Sequence, residues 1–253
     1  MIDIVIPTYN RLEFLQRCIK SVHYNTKVPY NLYIVDDCSD DGTQEWLASI
    51  NHPNLREVIL NKERRGLTFG FDILWDVIKG MDWFYNKKSE YLCLLQDDTE
   101  VMEEGWLEKL IKTYQRESSH YRIGFFSGHD ALEHPTIIDM QDFKLKVAMR
   151  ATNIIAPWSF WESIGKVPRL QPNGSSRGFP SPGAEGQRGR GSNFDVYLTG
   201  FQSKGQMVDL GRTTEKSSGY IGVVCLVIPG LVKHTALNKE NSTWNNKNVE
   251  QGT

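Results

Sequence analysis

One pattern constrains this chain more than any other: in its first half, short apolar runs alternate with segments of helical apolar spacing. Ile2–Pro7 is a β-branched run that stops at proline. Leu12, Leu15, Ile19 and Val22 then recur on one helical face. Asn31–Asp36 is the next strand, and Asp40-Asp41-Gly42-Thr43 offers a helix cap before Trp46 and Leu47. Leu55–Leu60 is a third strand, followed by a helical face of Leu67, Phe71, Leu74, Trp75 and Ile78. Tyr91–Leu95 is apolar throughout, as a central strand covered on both faces should be. Trp106, Leu107, Leu110, Ile111 and Tyr114 mark a further helix, and Ile123–Ser127 a fifth strand. Strands joined by single helices imply right-handed βαβ units. The expected fold class is therefore α/β: a doubly wound, mostly parallel sheet with helices on both faces.

Sheets of this kind bind ligands beyond the carboxyl ends of their strands. The polar clusters fall there. Thr8-Tyr9-Asn10-Arg11 follows the first strand, Asp36-Asp37 closes the second, and Gln96-Asp97-Asp98 follows the fourth. Adjacent carboxylates after a buried strand are costly unless something neutralises them. A hard divalent cation completed by phosphate oxygens is one answer. A pair of turn or capping aspartates is the other.

Four segments carry a resemblance: IVIPTYNRLEFLQRCIKSV (4–22), IVDDCSDDGT (34–43), NKERRGLTFGFDILW (61–75) and YLCLLQDDTEV (91–101). In order and spacing they resemble family 2 glycosyltransferases of the GT-A fold, over residues 2–115. The resemblance implies an inverting transfer from a nucleotide-activated sugar, usually a UDP-sugar, with Mn²⁺ or Mg²⁺ as cofactor. It implies a nucleobase pocket lined by Pro7, Thr8 and Tyr9, with Asp37 accepting a hydrogen bond from the base. Arg11 and Arg65 would serve the nucleotide sugar, with Gly66 permitting close backbone approach. The family's Asp-x-Asp signature has Gln96 in its first position here. Asp97 is then left for ribose or metal, and Asp98 for metal.

The second half is less regular. Val147–Ile155 reads as a strand, Pro157–Ile164 as a short helix, Asn193–Lys204 as a helix and Tyr220–Ile228 as a strand. Residues 166–192, rich in Gly, Pro, Ser and Arg, read as a mobile loop over the donor diphosphate or an anionic acceptor. Gly186-Gln187-Arg188-Gly189-Arg190-Gly191 joins no strand to a helix and is no dinucleotide loop. An inverting enzyme needs a general base for the acceptor hydroxyl. The resemblance places it at Asp195, although the usual Glu-Asp pair is missing and the alternative is a helix-end aspartate. Asp130 and Asp139 are rivals. His234 follows an apolar stretch, where the family often places a metal- or phosphate-binding histidine; a structural role is the alternative. Trp158 and Trp161 offer a stacking wall for sugar or acceptor, or simple core packing.

Composition narrows the partners. The formal net charge of −2 advertises no global nucleic-acid or membrane field. No apolar run approaches the ~20 residues of a bilayer span. The four cysteines are scattered and without metal-ligand spacing, so they read as buried thiols. With no signal-peptide pattern, the expectation is a cytoplasmic protein. The Asn173 and Asn241 sequons are then chance matches. The expected organisation is one domain over 1–238, with a donor half (2–115), an acceptor half (116–238) and a polar tail (239–253).

Three functions compete. The leading one is the metal-dependent glycosyltransferase, whose acceptor (glycan, protein or modified DNA) stays open. A phage-type enzyme acting on a hydroxymethylated or otherwise modified DNA base is one version, with the basic loop on phosphates. A catalytically inactive sugar-nucleotide-binding module is another class. A nucleotidyltransferase is disfavoured, because Pro7-Thr8-Tyr9-Asn10-Arg11 stands where its Gly-rich loop would.

Overall fold

The computed structural model describes residues 1–64, 73–80, 89–130, 136–146, 152–164 and 224–235. The chain begins with β1 (Ile2–Thr8), α1 (Leu12–Asn25), β2 (Tyr30–Asp36), α2 (Thr43–Ser49) and β3 (Leu55–Leu60). Then come α3 (73–80), β4 (Tyr91–Leu95), β5 (Thr99–Val101), α4 (Trp106–Glu117) and β6 (Ile123–Ser127). The remainder is β7 (Thr136–Asp139), β8 (Lys144–Lys146), β9 (Asn153–Pro157), α5 (Trp158–Ile164), β10 (Val224–Val227) and β11 (Val232–His234).

Nine strands form one sheet in the order β3-β2-β1-β4-β9-β6-β10-β8-β7. Its β3-β2-β1-β4 half is parallel throughout. Strand alternation sorts the core into two layers. Ile2, Ile4, Ile6, Tyr91, Cys93 and Leu95 pack against α1, α2 and α4, while Val5, Leu92 and Leu94 face α3 and α5. Helices therefore cover both faces, and the expected α/β class holds.

The second half departs from the parallel expectation. Strand β9 runs antiparallel between β4 and β6, and β8 runs antiparallel to β10. An apolar run looks alike in either direction, so direction was not readable from it. The strand expected from Val147 is observed only from Asn153; residues 147–151 lie outside the described residues. Strands β5 and β11 pair with each other as a separate two-stranded ribbon. The expected loop 166–192, helix 193–204 and tail lie outside the described residues. Cys18, Cys93 and Cys225 are buried and in no disulfide, as expected, while Cys38 is only half-buried. Among the described residues, no helix is long and apolar enough to cross a membrane.

Candidate active site

The parallel half brings three polar strand ends to one rim. The β1–β4 register, continued past Val5–Leu94, sets Thr8 level with Asp97. Thr8 Oγ1 donates to Asp97 Oδ2 at 2.8 Å. Arg11 reaches back over the same strand end. Its Nη1 donates to Asp97 Oδ1 at 3.1 Å and makes a second, shorter bond to Asp98 Oδ2. His234 Nε2 lies 3.2 Å from that same Asp98 oxygen. One buried polar chain thus runs Thr8–Asp97–Arg11–Asp98–His234.

The backbone beneath this chain is fixed locally. Asn10 adopts a left-handed φ of 50°, which its short polar side chain tolerates. Its Nδ2 donates to Asp40 Oδ1 at 2.7 Å, and Asp40 N returns a bond to Asn10 Oδ1 at 2.8 Å. Asp41 accepts from Leu12 N at 3.0 Å and from Thr43 N at 3.1 Å, so one carboxylate serves the starts of both α1 and α2. The loops after β1 and β2 are therefore latched together.

Behind Asp98 the support comes from β11. Thr235 N and Oγ1 donate to the Asp98 carbonyl at 2.8 and 2.7 Å. Pairing of His234 with Thr99 brings the imidazole to the carboxylate. Helix α1 braces the other side: Ser21 Oγ accepts from Val101 N at 2.9 Å, and Asn25 Nδ2 donates to Val101 O at 2.9 Å. Gln96 contributes through its backbone, with N donating to Thr152 O at 3.0 Å and its carbonyl accepting from Thr99 Oγ1 at 2.6 Å.

The two carboxylates are not equivalent. Burial pushes Asp97 up to about 6; Arg11 restrains the rise and the Asp98 charge adds to it. For Asp98 burial also favours the neutral acid, but His234 and Arg11 overcome it and hold the group below the ordinary carboxylate range. Both oxygens of Asp97 carry hydrogen bonds. By contrast Asp98 Oδ1 and His234 Nδ1 are buried without a partner. A buried acceptor without a partner is one that a bound cation can satisfy. A carboxylate oxygen with an imidazole nitrogen is a donor set that Mn²⁺ accepts. Among the described residues no cluster of three His, Cys, Asp or Glu side chains could hold a metal.

A family model described as glycosyl transferase family 2 matches residues 3–157, more than half of the 253-residue chain. The chain belongs to that family. Among curated relatives it resembles the glycosyltransferase GlyG of Streptococcus pneumoniae, 22% identical over 51% of this chain and 40% of that one. It also resembles the glycosyltransferase AglE of Haloferax volcanii, 33% identical over 26% of this chain and 22% of that one. Among solved structures it is similar to a Pyrobaculum calidifontis mannosyltransferase in complex with GDP-Man and Mn²⁺. That likeness has 16% identity, covers 66% of this chain and 47% of the other, and has a TM-score of 0.47. A similar likeness is to S. aureus TarS 1–349 in complex with UDP-GlcNAc, at 15% identity, 64% and 46% coverage and a TM-score of 0.44. The chain spans less than half the length of each of these proteins. Such scores fix no shared fold by themselves; the GT-A class rests on family membership and the observed sheet.

For this family 2 member, the expected donor residues Pro7, Thr8, Tyr9, Arg11, Asp37, Asp97, Asp98 and His234 all stand around the rim. Asp37 is buried and accepts from Asn61 Nδ2 at 3.1 Å, while its neighbour Asp36 is spent on Ser39 and Gln44. The sequence reading singled out Arg65, which lies outside the described residues with Gly66 and Asp195. Arg64, its neighbour, stacks on Tyr9, with its Cζ 4.1 Å from the ring centroid.

The tryptophan wall is corrected. Trp158 and Trp161 are 1% and 0% exposed and belong to the core. Trp158 Nε1 donates to Asp3 Oδ2 at 3.1 Å and Trp161 Nε1 to the Leu92 carbonyl at 3.1 Å. The signal was Asp3, a carboxylate in the otherwise apolar first strand that needed buried donors. The rival bases are also engaged: Asp130 by Lys144 and Lys146, and Asp139 by Lys144 at 3.6 Å.

Proposed function

We propose that this chain transfers a sugar, with inversion, from a nucleoside diphosphate donor, most simply a UDP-sugar, to an acceptor hydroxyl. The observation that carries the reading is the buried Thr8–Asp97–Arg11–Asp98–His234 chain at the carboxyl ends of parallel strands. Tyr9 and Asp37 receive the nucleobase, by ring contact and by a hydrogen bond to the Asp37 carboxylate. Asp98 Oδ1 and His234 would hold Mn²⁺ or Mg²⁺, whose charge, when bound, stabilises the diphosphate as a leaving group. Arg11 adds a permanent positive charge on the same side. Thr8 and Arg11 keep Asp97 in place. Asp195 is the proposed base: it takes the acceptor proton as the oxygen attacks from the face opposite the diphosphate. The catalytic unit of this reading spans 1–238, with the basic residues of 166–192 serving the donor diphosphate or an anionic acceptor.

A thermal-shift screen of nucleoside diphosphates and their sugars, with and without Mn²⁺, tests this. A ligand at 100 times its Kd stabilises by about 2.7 kcal/mol. No stabilisation by any nucleoside diphosphate overturns the reading. Donor hydrolysis or transfer, abolished in Asp98→Ala, supports an enzyme; tight binding with no turnover marks a sugar-nucleotide-binding module instead.

A further inference from the structure

We propose that Arg11 is an exchangeable internal counter-ion. It holds Asp97 and Asp98 while the donor is absent, and yields Asp98 to the divalent cation when a diphosphate arrives. Cation and nucleotide binding are thereby made mutually dependent. The inference rests on the donor-site reading above and deepens it.

The starting point is charge. Two carboxylates, with side chains 7% and 3% exposed, face one guanidinium that is 11% exposed. Neither sign can be left alone in so dry a place. Arg11 Nη1 binds both acids at once, and Asp98 Oδ2 already accepts from Arg11 and sits against His234. A divalent cation at Asp98 would stand next to that guanidinium, and like charges repel strongly at short range in a low dielectric. The cation and Arg11 therefore compete for the same negative charge.

The geometry allows the exchange. The backbone on either side of Arg11 is held by the Asn10–Asp40 pair and by Leu12 N on Asp41, so the loop need not move. The arginine side chain has enough rotatable bonds to turn from Asp98 toward the rim. There a diphosphate supplies paired oxygen acceptors that a planar guanidinium can grip bidentately. Asp97 loses one partner on exchange but keeps Thr8 Oγ1. Asp98 Oδ1, the buried oxygen without a partner, is the atom left ready for the incoming cation.

The alternative is a fixed clamp, in which Arg11 stays on both acids throughout. The two are separated by measuring Mn²⁺ binding to the full chain by electron paramagnetic resonance, first without nucleotide and then with UDP. Under exchange, wild-type protein binds Mn²⁺ weakly alone. Arg11→Met binds Mn²⁺ roughly 10–100-fold tighter alone. The factor by which UDP tightens Mn²⁺ binding shrinks correspondingly in the variant, because the binding cycle must close. Arg11→Lys, which keeps the charge but not the fork, falls between the two and serves if the Met variant does not fold. Mn²⁺ affinity in both variants no tighter than wild type, with UDP binding intact, overturns the proposal. Should UDP bind no form of the protein, the donor-site reading fails, and the Mn²⁺-only comparison still decides whether Arg11 competes.

Discussion

Gly128 follows β6 and packs against the ribbon that carries His234, and replacing it by alanine should disturb both stability and the site. A Cβ built there would stand 2.9 Å from Leu231 Cβ, 2.9 Å from Val232 Cγ2 and 3.3 Å from Val232 N. Two of those neighbours are backbone or Cβ atoms, so no rotamer change relieves the clash and the β11 backbone must shift. Overpacking of this kind costs about 1–3 kcal/mol. Gly128 also donates to Asn153 Oδ1 at 2.8 Å and accepts from Val232 N at 3.0 Å. Weakening the second bond adds roughly 1 kcal/mol at most. The expected loss is thus about 1–4 kcal/mol, a Tm drop of roughly 2–16 °C at this chain length. Because His234 and Thr235 move with β11, Mn²⁺-dependent nucleotide binding should weaken as well. Urea unfolding with a constant m-value gives the stability, and titration with UDP and Mn²⁺ gives the site effect. Val232→Ala removes the Cγ2 contact, so the double variant should lose less than the sum of the two single losses. A stability change under ~0.5 kcal/mol, or strict additivity with Val232→Ala, would refute the close-approach argument.

Four further outcomes follow from the same contacts. Thr8→Val keeps the shape but leaves Asp97 Oδ2 without its 2.8 Å donor, and should cost about 1–3 kcal/mol in urea unfolding. In metal-free buffer Asp97, raised from 3.8 to about 6, favours its protonated form. Its contribution to stability is full below about 3.8 and lost as pH rises through about 6, so Asp97→Asn should flatten the decline over that window. Lys146→Met removes a nearly buried ammonium from Asp130 but leaves Lys144 at 3.2 Å, so the loss should be about 1–3 kcal/mol and vanish in the Lys146→Met, Asp130→Asn double variant. Trp158→Phe deletes the indole donor to Asp3 and should cost about 1–3 kcal/mol while leaving acceptor KM unchanged, whereas a stacking wall would raise that KM.

What was legible in the sequence follows from what periodicity can carry. Strands β1, β2, β4 and β6 are largely apolar runs between helices with clear faces, and β3 is a mixed run bounded by polar residues, so their existence and most of their bounds could be read. The convergence of Thr8, Asp37 and Asp97 was legible too, because parallel strands put their carboxyl ends on one side. Strands β5 and β11, three residues each, are too short to show any period. Their pairing is a long-range event, yet it is what places His234 on Asp98. The tryptophans failed for a different reason. A buried indole and a stacking indole have the same sequence spacing. For Trp158 the carboxylate of Asp3 is the distinguishing feature, with Asn31 Nδ2, Ser89 Oγ and Trp158 Nε1 gathered on it; Trp161 instead donates to the Leu92 carbonyl, which no sequence spacing reveals.

The adjacent aspartates show how a shared motif can divide its work. In sequence Asp97 and Asp98 differ only by one position, with Asp97 open to ribose or metal and Asp98 expected at the metal. Burial alone would push both toward the neutral acid. Their partners then separate them. Asp97 has its two oxygens committed to Thr8 and Arg11. Asp98 takes charge from Arg11 and His234 on one oxygen and keeps the other unmatched. A ligand for a cation must be ionised and must have a lone pair to give. Asp98 meets both conditions with one oxygen unmatched, while each oxygen of Asp97 already accepts a hydrogen bond. The asymmetry arises because Thr8 sits level with Asp97 and the β11 ribbon sits level with Asp98. The asymmetry therefore belongs to strand register, which is why shifting β11 through Gly128 should change the surroundings of Asp98 while leaving the Thr8–Asp97 bond in place.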